Sequence, residues 1–257
     1  MNVLASTGTS WVHRLNPVTK LVFAGSLGVC AFADTSAWWP ALILLVAVVP
    51  VAVCAGVTRR LLLLVGSLGL PVAAALFLVQ GFFYPGAQDV LARVGPLSLK
   101  GEGVRFALET SLHIMVLIGG FCFVLLTTHP ALLMGALLQR GMSPRVVYVL
   151  SAALQLAPAL AARAQGILHA QQARGLMLKG VRGRVRALLP LAAPLVMGAF
   201  TDVTDRAAAM EARAFGAPGR PTSLSDVPDT AAERAARTVL LLCALAAVAF
   251  NVWGAAR

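Results

Sequence analysis

The chain has 257 residues, of which 59% are hydrophobic and only 12% charged, with a formal net charge of +11. Soluble domains carry roughly 25% charge, so this composition argues against a soluble globule and for a polytopic membrane protein. The length suits one continuous membrane domain with a polar insertion, and the basic excess, with few aromatics and no nucleic-acid motif, reads as a topology signal rather than a nucleic-acid surface.

In chain order, Met1 to Thr19 is polar and lacks the apolar core and cleavage site of a signal peptide, so the N-terminus is expected in the cytoplasm. A bilayer core needs roughly 20 apolar helical residues. Leu21 to Phe32 is a short first span, followed by a turn through Asp34 to the interfacial pair Trp38-Trp39. Ala41 to Val57 is the second span and Arg59-Arg60 an aqueous boundary. Leu61 to Phe83 is the third, with Pro71 and two glycines as kink points. Residues Ala87 to Gly103 read as a loop, Val104 to Thr127 as the fourth span, and Arg237 to Trp253 as the last. With the N-terminus inside, 17 of the 21 Lys and Arg fall on the cytoplasmic side, and only Arg93, Lys100, Arg105 and Arg257 fall outside. That bias orients the topology. The predicted fold is all-α, about five transmembrane helices with a long helical cytoplasmic region before the last span. Its parts are N-terminal membrane helices over 1–128, coupling helices over 129–232 and a C-terminal membrane helix over 233–257.

The insertion carries the functional signal. Ala131 to Arg140 reads as a short helix stopped by Gly141. Ser143-Pro144 is a helix start, with a Ser N-cap and Pro at the first helical position. The pattern then runs to Arg174, where Gly175 suits a left-handed cap and Pro158 predicts a bend. After a basic turn, Lys179 to Arg186, a second long helix covers about Ala187 to Arg213. Its residues Leu188, Ala192, Leu195, Ala199, Val203, Ala207 and Met210 recur at helical spacing. Asp202 and Arg206 form an expected i,i+4 pair. Residues Ala217 to Thr230 are a polar connector. The apolar surface of the two helices exceeds what they need to cover each other, which points to a partner protein or the membrane face.

Both helices end on an Ala-Arg step, Ala173-Arg174-Gly175 and Glu211-Ala212-Arg213. A single last-turn arginine can simply satisfy free carbonyls and the helix dipole. Two at matching positions on matching helices are equally consistent with a shared external role. His113 within a span raises a functional question, though a neutral histidine bonded to a neighbouring helix accounts for it. Glu109 and Asp34 lie near span ends, His13 and His129 near membrane boundaries. Cys30, Cys54, Cys122 and Cys243 sit in separate apolar segments without metal-ligand or disulfide spacing. No nucleophile–base set, HExxH or phosphate-binding GxxxxGK[ST] occurs, so neither a metal, a cofactor nor catalysis by this chain is expected. A secondary transporter or channel is the rival class, but internal repeats and midplane charges are lacking.

These residues resemble the transmembrane T component of energy-coupling factor (ECF) transporters, the EcfT/CbiQ-like subunits of ABC-type importers of vitamins and of cobalt or nickel ions. The resemblance covers nearly the whole chain. It starts at Val12-His13-Arg14-Leu15-Asn16-Pro17-Val18-Thr19-Lys20, with Asn16 where Asp is usual. It continues through Thr127-Thr128-His129-Pro130 and Gly141-Met142-Ser143-Pro144-Arg145. The Ala-Arg-Gly signatures are its most specific elements: the first is intact, the second has Ala214 in place of the glycine but keeps Phe215. The resemblance implies a non-catalytic membrane subunit whose partners are two cytosolic ABC ATPases, a substrate-binding membrane S component and the bilayer, with no nucleic acid. It implies that Ala173, Arg174, Gly175, Glu211, Ala212 and Arg213 dock on the ATPases. Leu150, Leu154, Leu160, Leu195, Ala199 and Val203 are candidates for an apolar seat under the S component, or for ordinary helix packing.

Overall fold

The computed structural model describes residues 10–33, 36, 38–85, 90–94, 97–176, 180–217 and 228–255. The sequence readings at Asp34, Lys179, Arg257 and residues 218–227 lie outside them. Two compact units are formed, one from Met1–Ala136 with Val227–Arg257, the other from Leu137–Asp226.

The first unit begins with a short α1 (Trp11–Arg14) and α2 (Pro17–Ala31). Next come α3 (Trp38–Ile43), a π-helical turn over Leu44–Val48 and α4 (Val49–Ala55), one unbroken helical run that begins with the interfacial pair Trp38-Trp39. α5 (Thr58–Phe83) continues through Pro71. The stretch read as a loop contains an antiparallel hairpin, β1 (Val90–Val94) with β2 (Leu97–Lys100), ahead of α6 (Gly101–Thr127). α7 (Pro130–Gln139) leads onward, and α10 (Ala231–Ala255) returns to the first unit.

The molecule is an all-α polytopic membrane protein. Among the described residues, five helices are long and apolar enough to cross a bilayer: Trp38–Ala55, Thr58–Phe83, Gly101–Thr127, Pro144–Ala173 and Ala231–Trp253. Four match spans read from the sequence. The fifth does not. α2 has only 15 residues, about 22 Å of helix against a hydrocarbon core of about 30 Å. Pro144–Ala173, read as part of the insertion, meets the length and composition instead, with only two charges, Arg145 at its start and Arg163 in its interior.

α6 is the central element, packing against both α5 and α2. The core joins Val12, Leu27, Val48, Leu61, Val116 and Phe123, with the Phe23 and Phe123 rings edge to face at 5.9 Å. Gly103 permits the tightest approach, since a Cβ there would overlap the Gln80 carbonyl oxygen. His113 is buried, yet its Nδ1 meets the carbonyl of Glu109 one turn back at 2.6 Å and its ring lies 4.8 Å from that of Phe32. The partner is therefore its own helix, and the expectation of a bond to a neighbouring helix is corrected. Trp38 stands exposed while Trp39 Nε1 donates to the Cys30 carbonyl at 2.8 Å, an arrangement that suits an interfacial aromatic pair.

A polar latch ties the start of α2 to the start of α10. Asn16 caps α2, its side-chain oxygen accepting from Val18 N at 3.0 Å, while its amide nitrogen donates to the Pro228 carbonyl at 3.3 Å. An aspartate could make the first bond but not the second. The Asn16 backbone N–H donates to Glu233 Oε1 at 2.8 Å. Glu233 also accepts from Thr230 N, and Thr230 Oγ1 accepts from Glu233 N, a capping box at the start of α10. Lys20 Nζ donates to the carbonyls of Thr127 at 2.8 Å and His13 at 3.1 Å, and Arg237 bridges Thr19 and Asp229 at 3.0 and 2.8 Å. Burial, with the Lys20 charge adding, lowers the His13 imidazole below its ordinary value. Replacing Glu233 by Ala strands the buried Asn16 N–H and undoes the box. The expected cost is about 2–3 kcal/mol, read as a drop in the thermal unfolding midpoint in detergent, with Glu233→Gln falling between variant and wild type.

Candidate functional site

The second unit holds α8 (Pro144–Ala173) and α9 (Gly180–Ala212). Pro144 occupies the first turn of α8 as expected, but the Ser143 hydroxyl makes no capping hydrogen bond. α8 continues through Pro158, and α9 through Pro190 and Pro194. α9 starts at Gly180, so most of the stretch read as a basic turn is the first part of the helix. Two contacts fix the direction of the pair. Arg163 of α8 meets Asp202 of α9, and the Tyr148 ring near the start of α8 lies 5.5 Å from that of Phe215 just past α9. The helices run antiparallel, so Arg174 and Arg213 leave the pair at opposite ends. Asp202 is taken by Arg163, 39 positions away, and not by Arg206 as the i,i+4 spacing suggested.

The two helix ends are built alike. After α8, Gly175 N donates to Gln172 O at 2.9 Å and Leu176 N to Gln171 O at 3.0 Å. After α9, Ala214 N donates to Glu211 O at 3.0 Å and Phe215 N to Met210 O at 3.0 Å. Both are complete Schellman caps, with the arginine at the C-cap and the next residue left-handed. Gly175 has φ +94° and Ala214 φ +54°. The departure from glycine in the second signature thus leaves the cap geometry unchanged, at the cost of placing a Cβ in the left-handed region.

That construction decides what the arginines are free to do. In each cap the backbone N–H groups at C′ and C″ satisfy terminal carbonyls, so no guanidinium is needed for those bonds. Arg174 and Arg213 are both exposed, and neither side chain makes an ion pair or hydrogen bond among the described residues. Two unengaged forks of donors therefore stand at opposite ends of a stiff pair of helices. Ala173, Glu211 and Ala212 share the exposed ends.

The apolar residues singled out on these helices divide. Leu150, Leu154 and Val203 are exposed, at 41%, 50% and 60% of their surface. Leu160, Leu195 and Ala199 are half-buried. Val146, Val149, Val196, Met197 and Phe200 extend the exposed set. Sequence periodicity missed Arg163, whose partner lies far along the chain.

Ala214→Gly removes the left-handed alanine and should stabilise the second cap by about 1 kcal/mol. Hydrogen exchange at the Ala214 and Phe215 amides is the measurement, with protection rising roughly fivefold. Gly175→Ala should lower protection at Gly175 and Leu176 by a similar factor.

A family model described as CbiQ, cobalt transport protein, matches residues 8–223. Among curated relatives, the energy-coupling factor transporter transmembrane protein EcfT of Exiguobacterium sibiricum is 32% identical over 83% of this chain and 84% of its own. The EcfT protein of Thermosediminibacter oceani is 28% identical, covering 89% of each chain, and that of Leuconostoc gelidum 30% identical over 81% of each. With that family match running from α1 through the two arginine-ended helices, the chain belongs to the CbiQ/EcfT family.

Proposed function

We propose that this protein is the transmembrane coupling component of an energy-coupling factor importer, a non-catalytic subunit that passes ATP-driven motion from two cytosolic ABC ATPases to a substrate-binding S component. The names of its relatives support the transporter assignment. The observation that carries the coupling role is the pair of matching caps, which leaves both guanidinium groups unengaged at exposed helix ends. The seventeen Lys and Arg on the side inferred to be cytoplasmic support a cytosolic setting for these tips.

A guanidinium presents a planar fork of donors matched to carboxylates. Each tip inserts into a groove on one ATPase, Arg174 into the first and Arg213 into the second, with Ala173, Gly175, Glu211 and Ala212 shaping the approach. Closure of the ATPases on ATP displaces the tips, and α8 and α9 move as rods. The apolar face bearing Leu150, Leu154, Leu160, Leu195, Ala199 and Val203 seats the S component without directional bonds, so that the seated protein slides and reorients as the rods move. Substrate choice, a vitamin or a transition-metal ion, belongs to the S component.

Arg174→Ala and Arg213→Ala should each weaken ATPase docking by about two to three orders of magnitude, the scale for removing one partner of a desolvated charge pair. Arg→Lys should rescue little, because the ammonium lacks the fork. Pull-down of the ATPases on tagged protein and ATP-driven uptake are the measurements; full capture and full uptake by the double alanine variant would refute the assignment. A charge on the apolar face tests its other half. Leu154→Glu or Val203→Glu should release the S component while the ATPases stay bound, as read from the composition of the purified complex.

A further inference from the structure

Arg163 and Asp202 meet fork to fork. Nη1 donates to Oδ2 at 3.0 Å and Nη2 to Oδ1 at 3.2 Å. The guanidinium reaches Asp202 by lying over Gly198, one turn earlier on α9. A Cβ at that position would stand 2.6 Å from Nη1 and 3.3 Å from Cζ. Gly198 is in ordinary helical conformation, so its backbone does not call for glycine; the overlying side chain does. Glycine inside an exposed helix is otherwise unfavourable.

The clasp has a particular place. Arg163 precedes Arg174 by eleven residues, and Asp202 precedes Arg213 by eleven. At 1.5 Å per residue each tip lies about 16 Å along its helix from the clasp. Eleven residues make three turns plus about 20°, so each signature arginine leaves on the same side of its helix as the clasp residue. Because the helices run antiparallel, the two arms extend in opposite directions from a common centre. The arrangement has local two-fold character, the symmetry that a closed pair of like subunits also has. At 39% and 33% side-chain exposure the pair adds little to stability by itself. What a bidentate pair supplies is orientation.

We infer that the Arg163–Asp202 clasp, seated over Gly198, is a positioning pair that fixes the spacing of Arg174 and Arg213 so that both tips engage one ATPase pair at once. The inference rests on the docking role proposed above for the two arginines. Two sites held at the right span bind as one bivalent unit, and the second engagement is then intramolecular. Loosening the span weakens that advantage without removing either tip.

The test uses full-length protein in lipid nanodiscs, with Cys30, Cys54, Cys122 and Cys243 replaced by Ala and spin labels at Gln172→Cys and Ala209→Cys. Wild type should give one narrow distance. Arg163→Gln, Asp202→Asn and Gly198→Ala should each broaden it. In the complex without labels, the same three changes should speed dissociation of the ATPases about tenfold, a part of the bivalent gain. Gly198→Ala separates positioning from stability. Alanine favours the helix, so a purely structural role predicts an unchanged or raised unfolding midpoint with unaltered dissociation, whereas the clasp predicts faster dissociation at that same midpoint. A narrow distance in all three variants overturns the inference, and so does a broadened distance with unaltered dissociation. If the ATPases dock equally well on Arg174→Ala/Arg213→Ala protein, the docking reading fails instead, while the distance measurements still test the clasp separately.

Discussion

A helix that ends outside a packed core leaves its last carbonyls without partners, and something must satisfy them. In the second unit the chain turns left-handed immediately after each arginine and uses its own amides for the purpose. Everything proposed for the unit depends on this. Were the guanidinium groups needed at those carbonyls, they would fold back along the helix and present nothing outward. Because the backbone closes the ends, two long cationic side chains remain on well-defined stems. The same device tolerates alanine at position 214, whose left-handed conformation is held by the two amide bonds around it and followed by Gly216, itself at φ +88°.

The first unit follows a different rule. Its helices expose many large apolar residues outward, such as Leu62, Leu63 and Leu78 on α5, as lipid-facing helices should. Its specificity comes from a small polar set at the base of α2 and α10. There Lys20 is bonded to two carbonyls, Glu233 to two amides, and Arg237 to a hydroxyl and a carboxylate. In an apolar setting such bonds fix which helix pairs with which, a decision that apolar packing alone leaves weakly specified.

Much of this was legible in the residues. Hydropathy found four of the five long apolar helices, and the Ser-Pro and Arg-Gly steps found both ends of α8. The Glu211-Ala212-Arg213 step found the end of α9 despite the missing glycine. Hydropathy overrated α2, which is too short to cross, and α8, read as part of the insertion, has the length and composition of a span with Arg163 in its interior. The hairpin before α6 was passed over although Gly95-Pro96 stands between its strands, because that dipeptide reads equally well as plain loop. The start of α9 was hidden because glycine and arginine alternate there, a pattern that reads as a turn. Local spacing also misassigned Asp202. An i,i+4 pair is visible in a sequence, whereas a partner on another helix is not, and the tertiary contact with Arg163 prevailed.

The Asn16–Glu233 bond joins positions 217 residues apart. During synthesis the amino-terminal helix therefore leaves the ribosome long before the carboxylate that completes its base exists. Until the last helix emerges, α2 is a short apolar segment with its anchoring amide open, held chiefly by α6 and, to a lesser extent, α3. A chain ending after α6 but before position 233 would keep its apolar helices and lack the carboxylate that closes the base of α2.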